Sequence, residues 1–161
     1  MFSLDSTLKE VKAFLRAGFT KGVDCPACGQ HVQQYEYKLF ATSAFALIEL
    51  YKLDQRSPNG SGDFFHIKDY AEASGNRLRA PHFAELRFWG LVVKAPNDDP
   101  KKKASGYWAI TQKGREFVRG LIPVPSRILV FNNKFCGFSD KAVDIKINEA
   151  LGNDFNFEEV M

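Results

Sequence analysis

Between Gly90 and Thr111 the chain has few conformations open to it. Gly90 can leave a helix through a left-handed conformation, and it directly precedes Leu91-Val92-Val93-Lys94, an extended apolar run. Residues 95–105 are polar and include Pro96 and Pro100, so they read as an exposed loop. Gly106-Tyr107-Trp108-Ala109-Ile110 then returns as a strand, and Thr111 has the side chain to cap a helix holding Phe117 and Val118. The spacing predicts a β-hairpin whose long, mobile tip carries Lys101, Lys102 and Lys103.

The segments before the hairpin are readable by the same means. Thr7 and Glu10 have capping-box spacing, and Leu8, Val11, Phe14 and Leu15 share one face, which predicts a helix over 6–17. Lys21 to Gln30 contains Gly22, Pro26 and Gly29 around two cysteines and predicts a knuckle-like loop. From Lys38 onward Leu39, Phe40, Ala44, Leu47, Ile48 and Tyr51 form an apolar stripe, hence a second helix that stops at the turn-forming run 57–62. Phe64 to Ile67 reads as a short strand, Lys68 to Ser74 as a short helix, and Gly75-Asn76 as a turn. Pro81 to Trp89 reads as another helix with Phe83, Leu86 and Trp89 facing inward.

Beyond the hairpin, Asn132-Asn133 predicts a turn between two extended segments, Arg127–Phe131 and Lys134–Phe138. Asp144 is placed to cap a short helix bearing Ile147, Ala150 and Leu151. The fold class expected is α+β, mainly α. Its organisation divides into an N-terminal helix and knuckle (1–37), a central domain (38–122) and a C-terminal hairpin and helix (123–161).

With 161 residues, 45% of them apolar, the chain can fill a core without disulfides. No apolar run has the roughly 18–20 residues that cross a bilayer, and the start lacks a basic-then-apolar signal, so no membrane partner and a cytoplasmic location are expected. Residues 63–127 hold twelve basic and seven acidic side chains, against seven and six before them and three and six after them. A basic centre with an acidic tail fits a nucleic-acid partner as well as it fits a solvated charged face.

The central order of helices, strands and loop is similar to the winged helix-turn-helix family of bacterial regulators. Two runs carry the likeness: Phe83-Ala84-Glu85-Leu86-Arg87-Phe88-Trp89-Gly90-Leu91-Val92, and Tyr107-Trp108-Ala109-Ile110-Thr111-Gln112-Lys113-Gly114-Arg115-Glu116-Phe117. It covers residues 39–120. The whole chain also resembles small phage and bacterial proteins of unassigned function with an early Cys-Pro-x-Cys-Gly-Gln, a central Arg-Phe-Trp-Gly-Leu-Val and a tail like Glu149-Ala150-Leu151-Gly152. The winged-helix resemblance implies double-stranded DNA as partner. Residues 81–89 would enter the major groove with Arg77, Arg79, His82, Glu85 and Arg87 facing the duplex, while Lys101, Lys102 and Lys103 sit on the wing tip against phosphates. Glu85, Asp98 and Asp99 oppose such contacts by their charge. Winged helices also dock proteins, so the alternative role is an adaptor or inhibitor of a host polymerase, nuclease or defence complex. Either role allows a homodimer.

Cys25-Pro26-Ala27-Cys28-Gly29 resembles a zinc knuckle, in which two thiolates bracket a tight turn, and structural zinc is the cofactor expected. No second Cys-x-x-Cys completes the tetrahedron. His31 could supply a third ligand and Cys136 a third or fourth, with His66 and His82 in reserve, or another copy of the chain could complete the set. The alternative is a pair of reduced thiols in a loop. A redox pair is disfavoured because Pro26 and Gly29 break the strand-to-helix context that such motifs need. With no phosphate-binding glycine loop and no nucleophile elbow, an enzyme is not expected.

Overall fold

The structure, a computed structural model, describes residues 2–60, 62–153 and 155–161. Ser61, within the expected turn-forming run, lies outside the described residues. In chain order the elements are α1 (Leu8–Gly18), β1 (Val23–Asp24), β2 (His31–Val32), β3 (Tyr35–Lys38), α2 (Ala41–Arg56), β4 (Phe65–His66) and α3 (Ile67–Tyr70). Two 3-10 segments follow, Arg77–Arg79 and Phe83–Trp89, then β5 (Val92–Lys94), β6 (Tyr107–Ile110) and α4 (Gln112–Val118). The chain ends with β7 (Val124–Pro125), β8 (Arg127–Phe131), β9 (Lys134–Phe138), β10 (Asp144–Ile145), α5 (Ile147–Leu151) and α6 (Phe157–Val160). It is a mixed α+β fold. No helix among the described residues is long and apolar enough to cross a membrane.

The chain forms two compact units, Met1–Tyr37 with Ile128–Asp140, and Lys38–Arg127 with Lys141–Met161. Residues of the β8–β9 hairpin from Ile128 onward fall in the first unit, and Arg127 and the chain from Lys141 onward fall in the second.

In the first unit the Thr7 hydroxyl accepts from the Glu10 N–H at 3.3 Å and the Glu10 carboxylate accepts from the Thr7 N–H at 2.7 Å, which fixes the start of α1. None of the α1 side chains is fully buried. Strands β3, β8 and β9 form a three-stranded sheet. Asn132 (φ 48°) and Asn133 (φ 60°) make the turn between β8 and β9, as the sequence predicts.

The second unit is built around α2. The sequence suggested an amphipathic helix, but Ser43, Ala44, Phe45, Ala46, Leu47 and Ile48 are all buried. The reason is that α2 is packed by both 3-10 segments, β6, α4 and α5, so several of its faces meet protein. Strands β4, β6 and β5, in that order, form an antiparallel sheet. Trp108 pairs with Phe65 on one side and Lys94 on the other. Two details of the expected local structure change. The helix expected over 68–74 is a single turn, Ile67–Tyr70, continued by turns. Asp144 does not cap α5; it pairs with Pro125 in the β7–β10 ladder, and Lys146 begins the helix with its N–H bonded to Glu149.

The base of the β5–β6 hairpin is knitted to α4. Thr111 donates its hydroxyl to the Gly90 carbonyl at 2.6 Å and accepts from the Gly114 N–H at 2.9 Å, while the Thr111 N–H bonds the Leu91 carbonyl at 3.1 Å. Gly90 sits at φ 72°, which lets the chain leave the 83–89 segment and enter β5 at once. Gly114 is required by space: a Cβ there would stand 2.2 Å from the Leu91 carbonyl oxygen.

Behind this junction lies an ion pair between Asp54 (1% exposed) and Arg115 (8%). Arg115 donates to the carboxylate at 2.8 and 3.2 Å and to the Ile110 carbonyl at 3.3 Å, and Asp54 also accepts from the Gly62 N–H at 2.9 Å. Burial pushes the Asp54 carboxyl up, but the guanidinium, the Gly62 N–H and the Gln55 amide outweigh it and hold the group below its ordinary value.

Gly114→Ala should destabilise the protein by about 2–4 kcal/mol in chemical denaturation, because backbone rather than a flexible side chain must yield. Asp54→Ala, which strands a buried guanidinium, should cost about 3–5 kcal/mol. With a depressed folded-state pKa, the Asp54 contribution is fully present above the unfolded value of about 3.9 and is lost as pH falls through the lower folded value. Acid unfolding followed by circular dichroism should therefore be less steep in Asp54→Asn, over the pH range below about 4, than in the native chain.

Candidate nucleic-acid interface

In the second unit, the side chains that the sequence nominated for DNA divide into those that are engaged within the fold and those that are presented to solvent. Arg77 lies in the first 3-10 segment with its guanidinium 4.6 Å over the Phe45 ring, which is itself stacked on Phe155 at 4.5 Å. His82 stacks on Phe40 at 4.5 Å and its Nδ1 is 3.0 Å from the Glu85 carboxylate. Arg87 folds back on its own segment, donating to the Ala84 carbonyl at 2.7 Å with its guanidinium 4.4 Å over Phe88. Each of these three cations has a partner within the fold, and Arg77 is at the same time exposed to solvent. Glu85, expected to oppose a phosphate backbone, is half-buried and occupied with His82.

The segment that carries Glu85 and Arg87, with His82 directly before it, is not the α-helix expected for a major-groove reader. It is a seven-residue 3-10 helix, Phe83–Trp89, with Phe83, Leu86 and Trp89 buried. The Trp89 indole N–H donates to the Pro125 carbonyl at 2.6 Å, and Phe83 meets Trp108 edge-on at 5.5 Å. The inward face is thus firmly held.

Arg79 and the three tip lysines are exposed. The loop that carries the lysines is shaped by its own polar residues. Asp99 accepts from the Lys101 N–H at 2.9 Å, its carbonyl accepts from the Lys102 N–H at 3.1 Å, and the Asn97 amide donates to the Lys102 carbonyl at 2.6 Å. Asp99 therefore does turn-forming work beside the lysines as well as subtracting charge. At the foot of the loop the Ser105 hydroxyl donates to the Ala95 carbonyl at 3.0 Å.

Arg79 borders a groove of about 630 Å³ whose wall includes His66, Lys68, Pro81, Phe83 and Trp108. Lys68 was not singled out in the sequence. Its position at the first turn of α3, directly after β4, was the available signal, since it places the side chain beside the sheet. Lys94 on β5 and Lys113 on α4 are further exposed cations of this unit that sequence reasoning passed over.

The cysteine pair belongs to the first unit. Strands β1 and β2 pair Val23 with Val32 and Asp24 with His31, and the turn between them is closed by Cys25 N–H to Gln30 carbonyl and Gly29 N–H to Cys25 carbonyl, both 2.8 Å. The Ala27 and Cys28 N–H groups point at the Cys25 sulfur and hold its thiol below the usual value. Cys28 is exposed. His31 is not turned toward the thiols: Nδ1 is 2.8 Å from Asp24 and Nε2 is 3.1 Å from the Gln33 side-chain oxygen, and these bonds raise its pKa. Cys136 lies on β9 in a groove with Leu15, Phe19 and Val32. Among the described residues no three His, Cys, Asp or Glu side chains converge as a metal set, so the structure brings Cys25 and Cys28 together and leaves His31 and Cys136 elsewhere.

Because Asp24 and Gln33 favour the imidazolium, His31 should titrate above about 6.5 when followed by NMR, and Asp24→Asn should bring it down. A raised folded-state pKa makes the His31 contribution present below the unfolded value and lost as pH rises through the folded one. Comparison of the chain with family models, with curated proteins and with solved structures gives no match, so the functional reading rests on the placement of these side chains.

Proposed function

We propose that the second unit is a winged-helix module that binds double-stranded DNA chiefly through its phosphates. The observation that carries this reading is the lysine-bearing turn at residues 101–103, held on a hairpin whose base is hydrogen-bonded through Thr111 to the end of the neighbouring 3-10 helix. An ammonium group neutralises a phosphate without strict geometry, and each one releases condensed counterions. Arg79 and Lys68, exposed on the groove beside that helix, extend the same chemistry.

Base-specific readout is the weaker component. The strongest sequence-reading contact is a bidentate arginine on guanine, which needs an extended guanidinium fork. Arg77 and Arg87 lie over aromatic rings instead, and His82 is held between Phe40 and Glu85. Contacts of the phosphate class position a protein on the duplex and discriminate little between sequences.

One observation favours the second role, docking on a host protein. Val93 and Tyr107, on the paired strands β5 and β6, are 46% and 44% exposed and give this unit an apolar surface that a duplex does not need.

The distinguishing experiment is a fluorescence-anisotropy titration of unrelated duplexes at several salt concentrations. Binding should weaken steeply with salt and differ little among sequences. Replacing Lys101, Lys102 and Lys103 with alanine should lower affinity by about tenfold or more and reduce the slope of log K against log salt by about 2–3. Absence of duplex affinity at low salt, with a host protein retained through Val93 and Tyr107, would establish the docking role instead.

A further inference from the structure

The cysteine knuckle of the first unit is not used by the proposed DNA contact. Its backbone is already shaped for a metal: the 25–30 turn is closed by two hydrogen bonds, and amide groups are aimed at the Cys25 sulfur, the arrangement that stabilises a thiolate ligand. Zinc in a structural site takes four ligands in a tetrahedron, with Zn–S distances of about 2.3 Å. Two thiolates supply half of that set.

The two further ligands nominated from the sequence, His31 and Cys136, face other partners. Both ring nitrogens of His31 face acceptors, Asp24 and Gln33. Cys136 sits in a different groove, against Leu15 and Phe19. Within one copy of the described residues no third donor joins the pair.

An uncovered apolar surface lies beside the knuckle. Pro26 and Ala27 share a groove with Leu4 and Val11. Leu4 is fully exposed, and Leu8, one turn before Val11 on α1, is 74% exposed. An eleven-residue helix with no buried side chain, next to a half-complete ligand set, is what a surface covered by a second copy would leave in the single chain.

We propose that two copies of this chain share one zinc ion, held by Cys25 and Cys28 of each, with the apolar surface of Leu4, Leu8, Val11 and Pro26 closing around it. Each of the four thiols gives its proton to solvent on binding, so assembly strengthens as pH rises. The two-fold relation makes the site self-complementary, since each knuckle supplies what the other lacks.

Native mass spectrometry of the full chain, purified under reducing conditions with zinc, tests this directly. The expected species is a dimer with one zinc, which a strong chelator converts to monomer and added zinc restores. Cys28→Ser should abolish both metal and dimer, while Cys136→Ser should retain both. Cobalt in place of zinc should give the thiolate-to-metal absorption of a four-sulfur tetrahedral site. If Cys28→Ser fails to fold, Leu8→Glu serves as a second variant and should weaken the dimer and its zinc retention together. One zinc per monomer, loss of metal in Cys136→Ser, a dimer indifferent to chelation, or a reduced monomer that takes up no zinc would each overturn the proposal.

Discussion

The second unit depends on the pairing of Asp54 with Arg115, buried together 61 residues apart. Two charges removed from water are tolerated only where each has several partners, and here the carboxylate is met by a guanidinium, a backbone N–H and an amide, while the guanidinium also reaches the Ile110 carbonyl. That carbonyl closes β6, and Arg115 is on the first turns of α4, so the pair fixes the start of α4 against α2. With α4 fixed, Thr111 can reach Gly90 and Gly114 can slide under Leu91. The direction of the lysine-bearing hairpin is therefore inherited from a contact deep beneath it.

Local signals in the sequence were legible because their physics is local. Thr7 with Glu10, Thr111 three residues before Gly114, Gly90 at a helix end and Asn132-Asn133 between two extended runs each satisfy backbone groups a few residues away, and each is found in that role. The union of Asp54 with Arg115 was not legible, since nothing near either residue names its partner. The same holds for His82 on Phe40 and for α2, whose extra burial comes from elements distant in sequence. One signal was present and misread. Phe83, Leu86 and Trp89 recur every three residues, the repeat of a 3-10 helix, in which side chains at i and i+3 lie in register, whereas an α-helical face drifts to a fourth residue.

The candidate sites were legible as residue types more than as available groups. Of the cations nominated around the 83–89 segment, Arg77, His82 and Arg87 have partners within the fold, Arg77 and Arg79 are exposed, and Arg79 borders the groove. A sequence reports where charge is, while a fold decides which charges have been used. Asp99 illustrates the reverse case: a carboxylate counted against phosphate binding is what turns the chain so that the lysines project. In the first unit, Cys25 and Cys28 meet as their spacing requires, and His31 answers to Asp24, seven residues back, because the β1–β2 ladder sets them opposite each other.

The 3-10 geometry bears on what this surface can recognise. A 3-10 segment rises about 2.0 Å per residue against 1.5 Å for an α-helix, with outward side chains stacked in eclipsed rows rather than spread around the axis. With Phe83, Leu86 and Trp89 turned inward, the outward rows are Ala84 with Arg87 and Glu85 with Phe88. The first row ends in a guanidinium tied to the Ala84 carbonyl, and the second begins with a carboxylate tied to His82. Neither row offers an extended donor fork to a base edge. Exposed lysines on the loop, with Arg79, Lys68, Lys94 and Lys113, carry positive charge outside those rows, and under the proposed role such point charges would answer to the spacing of phosphates, a property of the duplex rather than of its sequence.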